Sequence, residues 1–382
     1  MSREENITLP YRVASMLWMI LSHRHDSLRF SQLFPLVQEA LSLYSSKLYL
    51  LDRKNHCIHI QELGEKGILK ERYWKFGIFM AAATTLPLLY KTAAHQDMAE
   101  AVCAKASVST SAKLLDNLND EVQTYEEALH SLSAYRSALG KGVYVADKSD
   151  TGLAEHSAHE IATWAYKTIS SRIGTDVFSE DVDLLVSGQI ASLTHKKGKY
   201  PSIREYLSKI CRRSIGNVWI DVDLTFLEKE DSSIKEGNDY IFKSYLIYDD
   251  VQDIARDLRS NSINAAVILG LERGILTERE IKGNPVEIIE KLEKSGIFQD
   301  LLWLGDLTFL RGLEIISECS CNPVDREGFK ASLGLIRMFN MRRTLKREKN
   351  FSILGAFLAG HRRLKKVRRC APEYIHEMVE YV

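Results

Sequence analysis

The stretch 111-SAKLLDNLNDEVQTYEEAL-129 reads as a helix in which acidic side chains lie beside apolar ones. Asp116 and Asp120 are four residues apart, so both carboxylates project from one helix face. Like charges at this spacing repel each other by roughly 0.2–0.5 kcal/mol when exposed. Burial raises that cost unless a cation neutralises the pair. A purely structural helix gains nothing from this arrangement, but one such pair alone does not distinguish a cation site from a solvated helix face.

A second stretch of the same kind is 242-FKSYLIYDDVQDIARDL-258. Asp249 and Asp253 share one helix face, and both stretches fit the pattern D-[DN]-x-x-D. Facing each other across a helical bundle, the two motifs would form a cup of hard oxygen ligands. Such a cup suits Mg²⁺, which takes one or two carboxylates per site and completes its shell with water and phosphate oxygens. The predicted metal ligands are Asp116, Asp120, Asp249, Asp250 and Asp253.

The rest of the chain predicts an all-α protein. Its 382 residues are 45% hydrophobic and 27% charged, which is enough for one large domain or two ordinary ones. Apolar residues recur at helical spacing, as in 285-PVEIIEKLEKSGIFQDLLWLGDL-307. The one stretch whose pattern allows a small β-hairpin is 47-KLYLLDRKNHCIHIQEL-63. We expect a single helical domain over 1–382.

Net charge and cysteine usage limit the partners and the compartment. The 51 basic and 51 acidic residues balance, so no global charge attracts nucleic acid. The six cysteines form no CxxC pair, which favours reduced thiols in a cytoplasmic protein. The apolar run 13-VASMLWMIL-21 is too short to span a membrane and makes a poor signal peptide. It predicts a packed first helix within the N-terminal helices, 1–60.

The C-terminal region, 340–382, is rich in basic residues. It contains RRTLKREKN, then the apolar run FSILGAFLAG, then HRRLKKVRR. A solvated basic face, a sensor for an anionic ligand and a contact with a membrane surface are the three alternatives, since basic clusters beside an apolar helix suit anionic headgroups. The third alternative makes the protein membrane-associated.

The two motifs resemble the aspartate-rich motifs of the class I isoprenoid synthases, the superfamily of prenyltransferases and terpene synthases. DNLND is similar to their DDxxD with Asn117 in place of the second Asp, and LLDNLND is similar to the LDNLCD of large terpene synthases of the tetraprenyl-β-curcumene synthase type. The resemblance implies an all-α bundle with a central apolar cavity and three Mg²⁺ ions that bridge the aspartates to a diphosphate. Two ions would lie on Asp116 and Asp120, and the third on Asp249 and Asp253. The amide of Asn117 would donate to the diphosphate, which makes this residue a catalytic candidate.

A basic stretch precedes the second motif. In 201-PSIREYLSKICRRSIGNVW-219, Arg212 and Gly216 resemble the diphosphate-sensing Arg and the helix-break Gly of terpene synthases. Arg212 is therefore the second catalytic candidate, because Arg offers a bidentate fork to phosphate oxygens. An ordinary basic helix face is the alternative, and Arg213, Lys209 and Arg204 compete for the same role. The predicted diphosphate ligands are Arg212, Arg213, Lys243 and Arg256, and the predicted cavity residues are Tyr245, Tyr248 and Gly216.

The residues after the first motif favour one reaction over others. Chain-elongating prenyltransferases carry a basic pair soon after DDxxD, whereas here EVQTYEEALHSLSAYR follows Asp120 and its first Arg is Arg136. This argues against a second diphosphate nearby and favours a terpene synthase that ionises one linear prenyl diphosphate. Squalene- or phytoene-type coupling, chain elongation and a non-catalytic helical scaffold are the alternatives. His156, His159 and His195 have no spacing that supports catalysis. A homodimer is a further open expectation.

Overall fold

The computed structural model describes residues 24–121, 124–145, 152–172, 176–227, 232–319, 324–349 and 353–382. Within these ranges every regular element is helical, and the predicted all-α fold class is confirmed. The predicted first helix at 13–21 lies outside the described residues. The helices are α1 (Phe30–Leu48), α2 (Ile60–Glu65), α3 (Glu71–Leu89), α4 (His95–Glu121), α5 (Tyr125–Lys141), α6 (Gly152–Ser170), α7 (Asp176–Ser192), α8 (Ile203–Ser208), α9 (Gly216–Leu227), α10 (Ser232–Ser260), α11 (Ala265–Glu272), α12 (Glu278–Ile281), α13 (Pro285–Lys294), α14 (Ile297–Glu318), α15 (Arg326–Lys349), α16 (Ile353–Cys370) and α17 (Glu373–Val379).

The predicted β-hairpin at 47–63 is wrong. Helix α1 continues to Leu48, a 3-10 turn follows at Leu51–Arg53, and α2 begins at Ile60. The apolar residues of this stretch are spaced so that Leu51 and Leu63 enter the helical core, where both are fully buried. Burial against neighbouring helices therefore overrides the weak local preference for strand.

The two longest helices carry the two aspartate motifs. Helix α4 has 27 residues and packs against α1, α3, α6 and α9, and α10 has 29 residues and packs along α14. At about 1.5 Å per residue both are roughly 40 Å long and cross most of the bundle. Asp116 lies in the last two turns of α4, and Asp249 lies in the second half of α10. The motifs are thus at helix ends that reach one side of the core.

A buried ion pair lies deeper in the core on the same face of α4 as Asp116. Lys105 precedes Asp116 by three helical turns, about 16 Å along the axis. Its ammonium donates to Oδ2 of Asp223 at 2.5 Å and to the hydroxyls of Thr84 and Thr85 at 2.9 and 3.1 Å. All three of its donors are therefore used, which is what a charge buried this deeply needs.

The basic C-terminal region ends in α16 and α17. Helix α16 docks through Val367, which is buried, and through Arg363, whose Nε lies 3.1 Å from Oδ2 of Asp306 in α14. The chain then returns to α10, where Lys243 donates to the backbone oxygen of Val382 at 2.7 Å. None of the helices in the described part of the chain is both long and apolar enough to cross a membrane.

Candidate active site

The end of α4 and the second half of α10 each carry a cation whose charge acts on an aspartate of the other helix. Nζ of Lys113 lies 2.8 Å from Oδ2 of Asp116 on the same helix, and its charge also acts on Asp249 of α10. In the opposite direction, Arg256 of α10 acts on Asp116 of α4. Each motif therefore lies within electrostatic reach of the other motif's cation. The described aspartates of the two motifs therefore interact electrostatically through these cations.

On α10 the two carboxylates of this region differ in their surroundings. Asp249 is exposed, whereas Asp253 is buried and pairs with Arg256 at 2.9 Å, from Nη1 to Oδ2. The surrounding helices displace part of the water around Asp249, and Asp253 repels it from one turn away. Both effects raise the pKa of Asp249. An added cation would relieve this repulsion.

Asp116 has the opposite shift. Desolvation opposes its ionisation, but the positive charges of Lys113 and Arg213 outweigh that effect and lower the pKa of Asp116. Its side chain is 27% exposed, so it is accessible from solvent. The carboxylate is therefore ionised and available to a metal ion.

The arginine that faces the site is Arg213, not Arg212. The two residues belong to a 3-10 turn, Ile210–Arg213, in which successive side chains point about 120° apart. Arg212 is exposed, whereas the side chain of Arg213 is 15% exposed and its Nη2 lies 3.7 Å from Oδ1 of Asp250. Its charge also acts on Asp116, and its buried Nε has no hydrogen-bond partner. Arg213 thus lies between the motifs with a donor that is not used.

Two glycines allow this arrangement. A Cβ on Gly188 of α7 would lie 2.2 Å from the backbone nitrogen of Arg213. Only glycine therefore lets α7 pack directly on the 3-10 turn Ile210–Arg213. A Cβ on Gly216, at the start of α9, would lie 2.8 Å from the Cβ of Phe242 in α10. The chain bends between the 3-10 turn and Gly216, so the helix break that the sequence suggested occurs just before this residue.

Asp250, a predicted metal ligand, has a structural environment instead. Its Oδ2 accepts from the hydroxyl of Tyr206 at 2.7 Å and from the backbone nitrogen of Ala265 at 2.6 Å. Burial raises the pKa of Asp250 to about 6, although Arg213 opposes the rise. The carboxylate therefore holds the N-terminus of α11, where a negative charge is favourable. It turns away from Asp249 because neighbouring helix positions point 100° apart.

Asn117 and Lys243 also point to structural partners. The amide of Asn117 donates to the backbone oxygen of Ile68 at 2.7 Å and so ties α4 to the loop before α3. Lys243 pairs with Asp239 at 2.7 Å besides its bond to the chain's last residue. The amide predicted to donate to the diphosphate and the predicted diphosphate-binding lysine are therefore both engaged elsewhere. The side chain of Asp120 lies outside the described residues.

The two predicted cavity tyrosines are neighbours, three residues apart on α10. The ring centroid of Tyr245 lies 5.3 Å from that of Phe242 and 6.3 Å from that of Phe309. The hydroxyl of Tyr245 donates to the backbone oxygen of Leu333 in α15 at 2.7 Å and that of Tyr248 donates to Asp306 of α14 at 2.7 Å, so both hydroxyls belong to the packing between helices. Trp219 contacts Phe242 at 5.5 Å, and the indole nitrogen of Trp219 is buried without a partner. An aromatic row thus lies beneath the aspartates.

The donor set fits magnesium. The described part of the chain contains no group of three or more His, Cys, Asp or Glu side chains that could hold a metal ion. Mg²⁺ does not need such a group, because it takes one or two carboxylates and completes its shell with water and phosphate. Asp116, Asp249 and Asp253 are carboxylates of the kind that such a site uses, and the guanidinium of Arg213 lies 3.7 Å from Asp250. The site therefore suits a metal ion that arrives with a phosphate ligand.

Sequence reasoning missed three residues of this region. Lys113 is the clearest of them, since it precedes Asp116 by three residues and so shares its helix face. Phe242 could also have been found, because it lies two turns before Asp249 on the same face. No sequence signal identifies Gly188, whose function depends on the packing of α7 against a distant turn.

Solved structures share this architecture. The geranylgeranyl pyrophosphate synthetase of the archaeon Geoglobus acetivorans matches 80% of this chain and 99% of its own, with a TM-score of 0.50 and 15% identity. A geranylgeranyl pyrophosphate synthase matches 80% of this chain and 98% of its own, with a TM-score of 0.52 and 15% identity. A linalool/nerolidol synthase from Streptomyces clavuligerus matches at a TM-score of 0.44 and 16% identity, over 72% of this chain and 92% of its own.

The fold is that of the isoprenoid synthases. The resemblance suggested by the two motifs is thereby confirmed at the level of the fold. No family model matches the sequence, and no curated protein matches it. At 15% identity the structural likeness extends to the fold alone and does not show the activity of this protein.

Proposed function

We propose that the protein is a magnesium-dependent class I terpene synthase. It would ionise one linear prenyl diphosphate, cyclise or quench the carbocation and release diphosphate. The observation that carries this proposal is Arg213, which lies between the two aspartate motifs with a buried nitrogen that has no partner. An anion with several oxygens, held by metal ions on the aspartates, would use that nitrogen.

Each side chain of the site would have a separate task. Asp116, Asp249 and Asp253, together with Asp120, would hold the metal, which when bound supplies positive charge to the departing diphosphate. Arg213 would bind diphosphate oxygens and keep them oriented as the carbon–oxygen bond breaks. Because Arg213 is fixed by close packing on α7, it needs no reorganisation during the reaction.

The aromatic row beneath the aspartates would receive the hydrocarbon chain. Phe242 and Tyr245 are buried and would offer ring faces that attract positive charge, whereas the ring of Trp219 already faces the ammonium of Lys105 at 5.2 Å. Their burial would also keep water from the carbocation until it has reacted. A central cavity that admits the substrate remains part of this proposal.

A single diphosphate is favoured over two. Arg136, the first arginine after the first motif, pairs with Asp183 of α7 at 3.0 Å. A second diphosphate would need cations near the motifs, and Arg136 is engaged elsewhere. Squalene- or phytoene-type coupling is the second candidate, because both motifs have the DxxxD spacing of those enzymes. The scaffold alternative would leave the aspartates on exposed faces: Asp249 is exposed as it expects, whereas Asp116 is half-buried and Asp253 is buried.

The outer face of α16 fits an anionic membrane surface as a partner. Four of its exposed cations lie within about 100° of one another on the helix, whereas Arg368 pairs with Glu314 of α14 and Arg363 is docked on Asp306. Neutralising them should reduce sedimentation with anionic vesicles and leave neutral vesicles unaffected, whereas unchanged sedimentation would reject the partner. The residues concerned are Arg362, Lys365, Lys366 and Arg369.

The reaction is tested by incubating the purified protein with Mg²⁺ and all-trans prenyl diphosphates of increasing length, each alone and with isopentenyl diphosphate. A hydrocarbon or alcohol formed from one substrate alone, with release of diphosphate, would establish a terpene synthase. A longer diphosphate that forms only with isopentenyl diphosphate would establish chain elongation. A product of doubled chain length would establish coupling, and no release from any substrate would reject the enzyme.

A further inference from the structure

We infer that Lys113 and Arg256 are exchangeable counter-ions of the two aspartate motifs. Without metal, each holds an aspartate of its own motif; when magnesium takes that aspartate, the released cation turns to the diphosphate. The inference rests on the proposed function and adds a coupling between the two ligands. It assigns to these residues a competition with the metal, in addition to any contact with the diphosphate.

Lys113 has the geometry of a cation that can be displaced. Its Nζ lies 2.8 Å from Asp116, and the two side chains are 30% and 27% exposed. The residues are three positions apart on one helix, so a change of side-chain rotamer separates them without any movement of the backbone. Lys105 on the same face gives the contrast: it is 1% exposed and all its donors are used, so it cannot exchange.

Arg256 has an equivalent position on α10. Its Nη1 lies 2.9 Å from Asp253 and its Nη2 lies 3.3 Å from Asp257, and its side chain is 52% exposed. Its charge acts on Asp249 and, across the site, on Asp116. Asp250 gives the contrast here, because a backbone nitrogen and a tyrosine hydroxyl hold its carboxylate in place.

Exchange of these cations links the binding of metal and diphosphate. Magnesium must compete with Lys113 and Arg256 for the carboxylates. Without diphosphate, the aspartates therefore bind magnesium more weakly than they would if these two cations were absent. When the metal arrives with a diphosphate, the released cations find new oxygen partners and the competition disappears. By thermodynamic reciprocity each ligand then strengthens the binding of the other.

The experiment measures Mg²⁺ binding by isothermal titration calorimetry, with and without saturating inorganic pyrophosphate. In the wild-type protein, pyrophosphate should tighten Mg²⁺ binding. In Lys113→Gln, Mg²⁺ alone should bind about two- to fivefold more tightly, the range expected for loss of a partly exposed competing charge. The tightening caused by pyrophosphate should shrink, and Arg256→Gln should behave in the same way. The control is Lys294→Gln, which removes an exposed lysine that pairs with Glu290 one turn earlier on α13.

The outcomes separate this inference from the proposed function. If the wild-type protein binds Mg²⁺ and pyrophosphate but both variants bind Mg²⁺ alone with unchanged or weaker affinity, the inference is overturned and the proposed function stands. If the wild-type protein binds neither ligand, the proposed function is overturned first. Thermal unfolding without metal gives a second readout, since Lys113→Gln should lower the melting temperature only in the absence of Mg²⁺.

Discussion

Nη2 of Arg213 lies 3.7 Å from Oδ1 of Asp250, and the same guanidinium acts on Asp116 from the other side of the site. The arginine therefore joins the helix of the first motif to the helix of the second. Asp250 in turn fixes α11, so the position of Arg213 depends on a chain of contacts that begins outside the site. A diphosphate bound between the motifs would meet a donor that is already in place.

Replacing Arg213 should be far more damaging than replacing its neighbour. Arg213→Lys removes the planar fork but keeps the charge, and we expect diphosphate release to fall by about 100-fold or more. Arg212→Lys changes an exposed side chain and should leave the rate within about twofold. Initial rates of diphosphate release measure both. Equal losses in the two variants would contradict the assignment of Arg213.

Asp250→Asn should affect stability more than metal binding. The amide oxygen can still accept from Tyr206 and Ala265, but its NH₂ group then faces the guanidinium of Arg213, and the loss of a buried charged acceptor costs about 1–3 kcal/mol. Urea unfolding measures this cost. Asp253→Asn, the matched variant on the same helix, should weaken Mg²⁺ binding with a smaller change in unfolding free energy. A reversed pattern would make Asp250 the metal ligand.

The buried pair of Lys105 and Asp223 predicts a non-additive response. Lys105→Met leaves a carboxylate buried without its cation and should lower the free energy of unfolding by about 3–5 kcal/mol. The double variant Lys105→Met with Asp223→Leu removes both charges and should recover much of that loss. Denaturant midpoints of both single variants and the double variant complete the cycle. Additive losses would show that the pair contributes no coupling.

Asp221 predicts how stability depends on pH. Burial and repulsion from Asp181 raise its pKa to about 8, and Lys235 only partly opposes them. Between about pH 4 and pH 8 the folded state keeps a proton that the unfolded state releases, so stability falls as the pH rises through this window. Asp221→Asn removes the penalty and should be the more stable protein at pH 8 but not at pH 4. Parallel pH profiles of unfolding free energy for the two proteins would contradict this.

The all-helical fold follows from sequence because its signals are local and periodic. The spacing of Asp116 and Asp120, and of Asp249 and Asp253, fixes one face of each helix whatever the rest of the chain does. The predicted hairpin failed because Leu51 and Leu63 are buried by helices distant in sequence, and no local pattern reports that.

The roles of neighbouring residues were harder to predict. Arg212 and Arg213 are equivalent by composition, and only the 3-10 turn against Gly188 decides which one faces inward. Asp250 has the residue type of a metal ligand, but its direction is set by α11, which comes later in the chain. Asn117 likewise bonds to Ile68 in an earlier loop. These three depend on tertiary contacts that a single sequence does not encode locally.

The most direct test of the account is diphosphate release from a single prenyl diphosphate, with and without Mg²⁺, in the wild-type protein, Asp116→Asn and Asp253→Asn. We predict that the wild-type protein releases diphosphate only with Mg²⁺. In both variants the rate of release should fall by about 100-fold or more, because one aspartate from each motif is needed to hold the metal and its diphosphate. Release that needs no Mg²⁺, or that survives either substitution, would contradict the claim that the two motifs form one site.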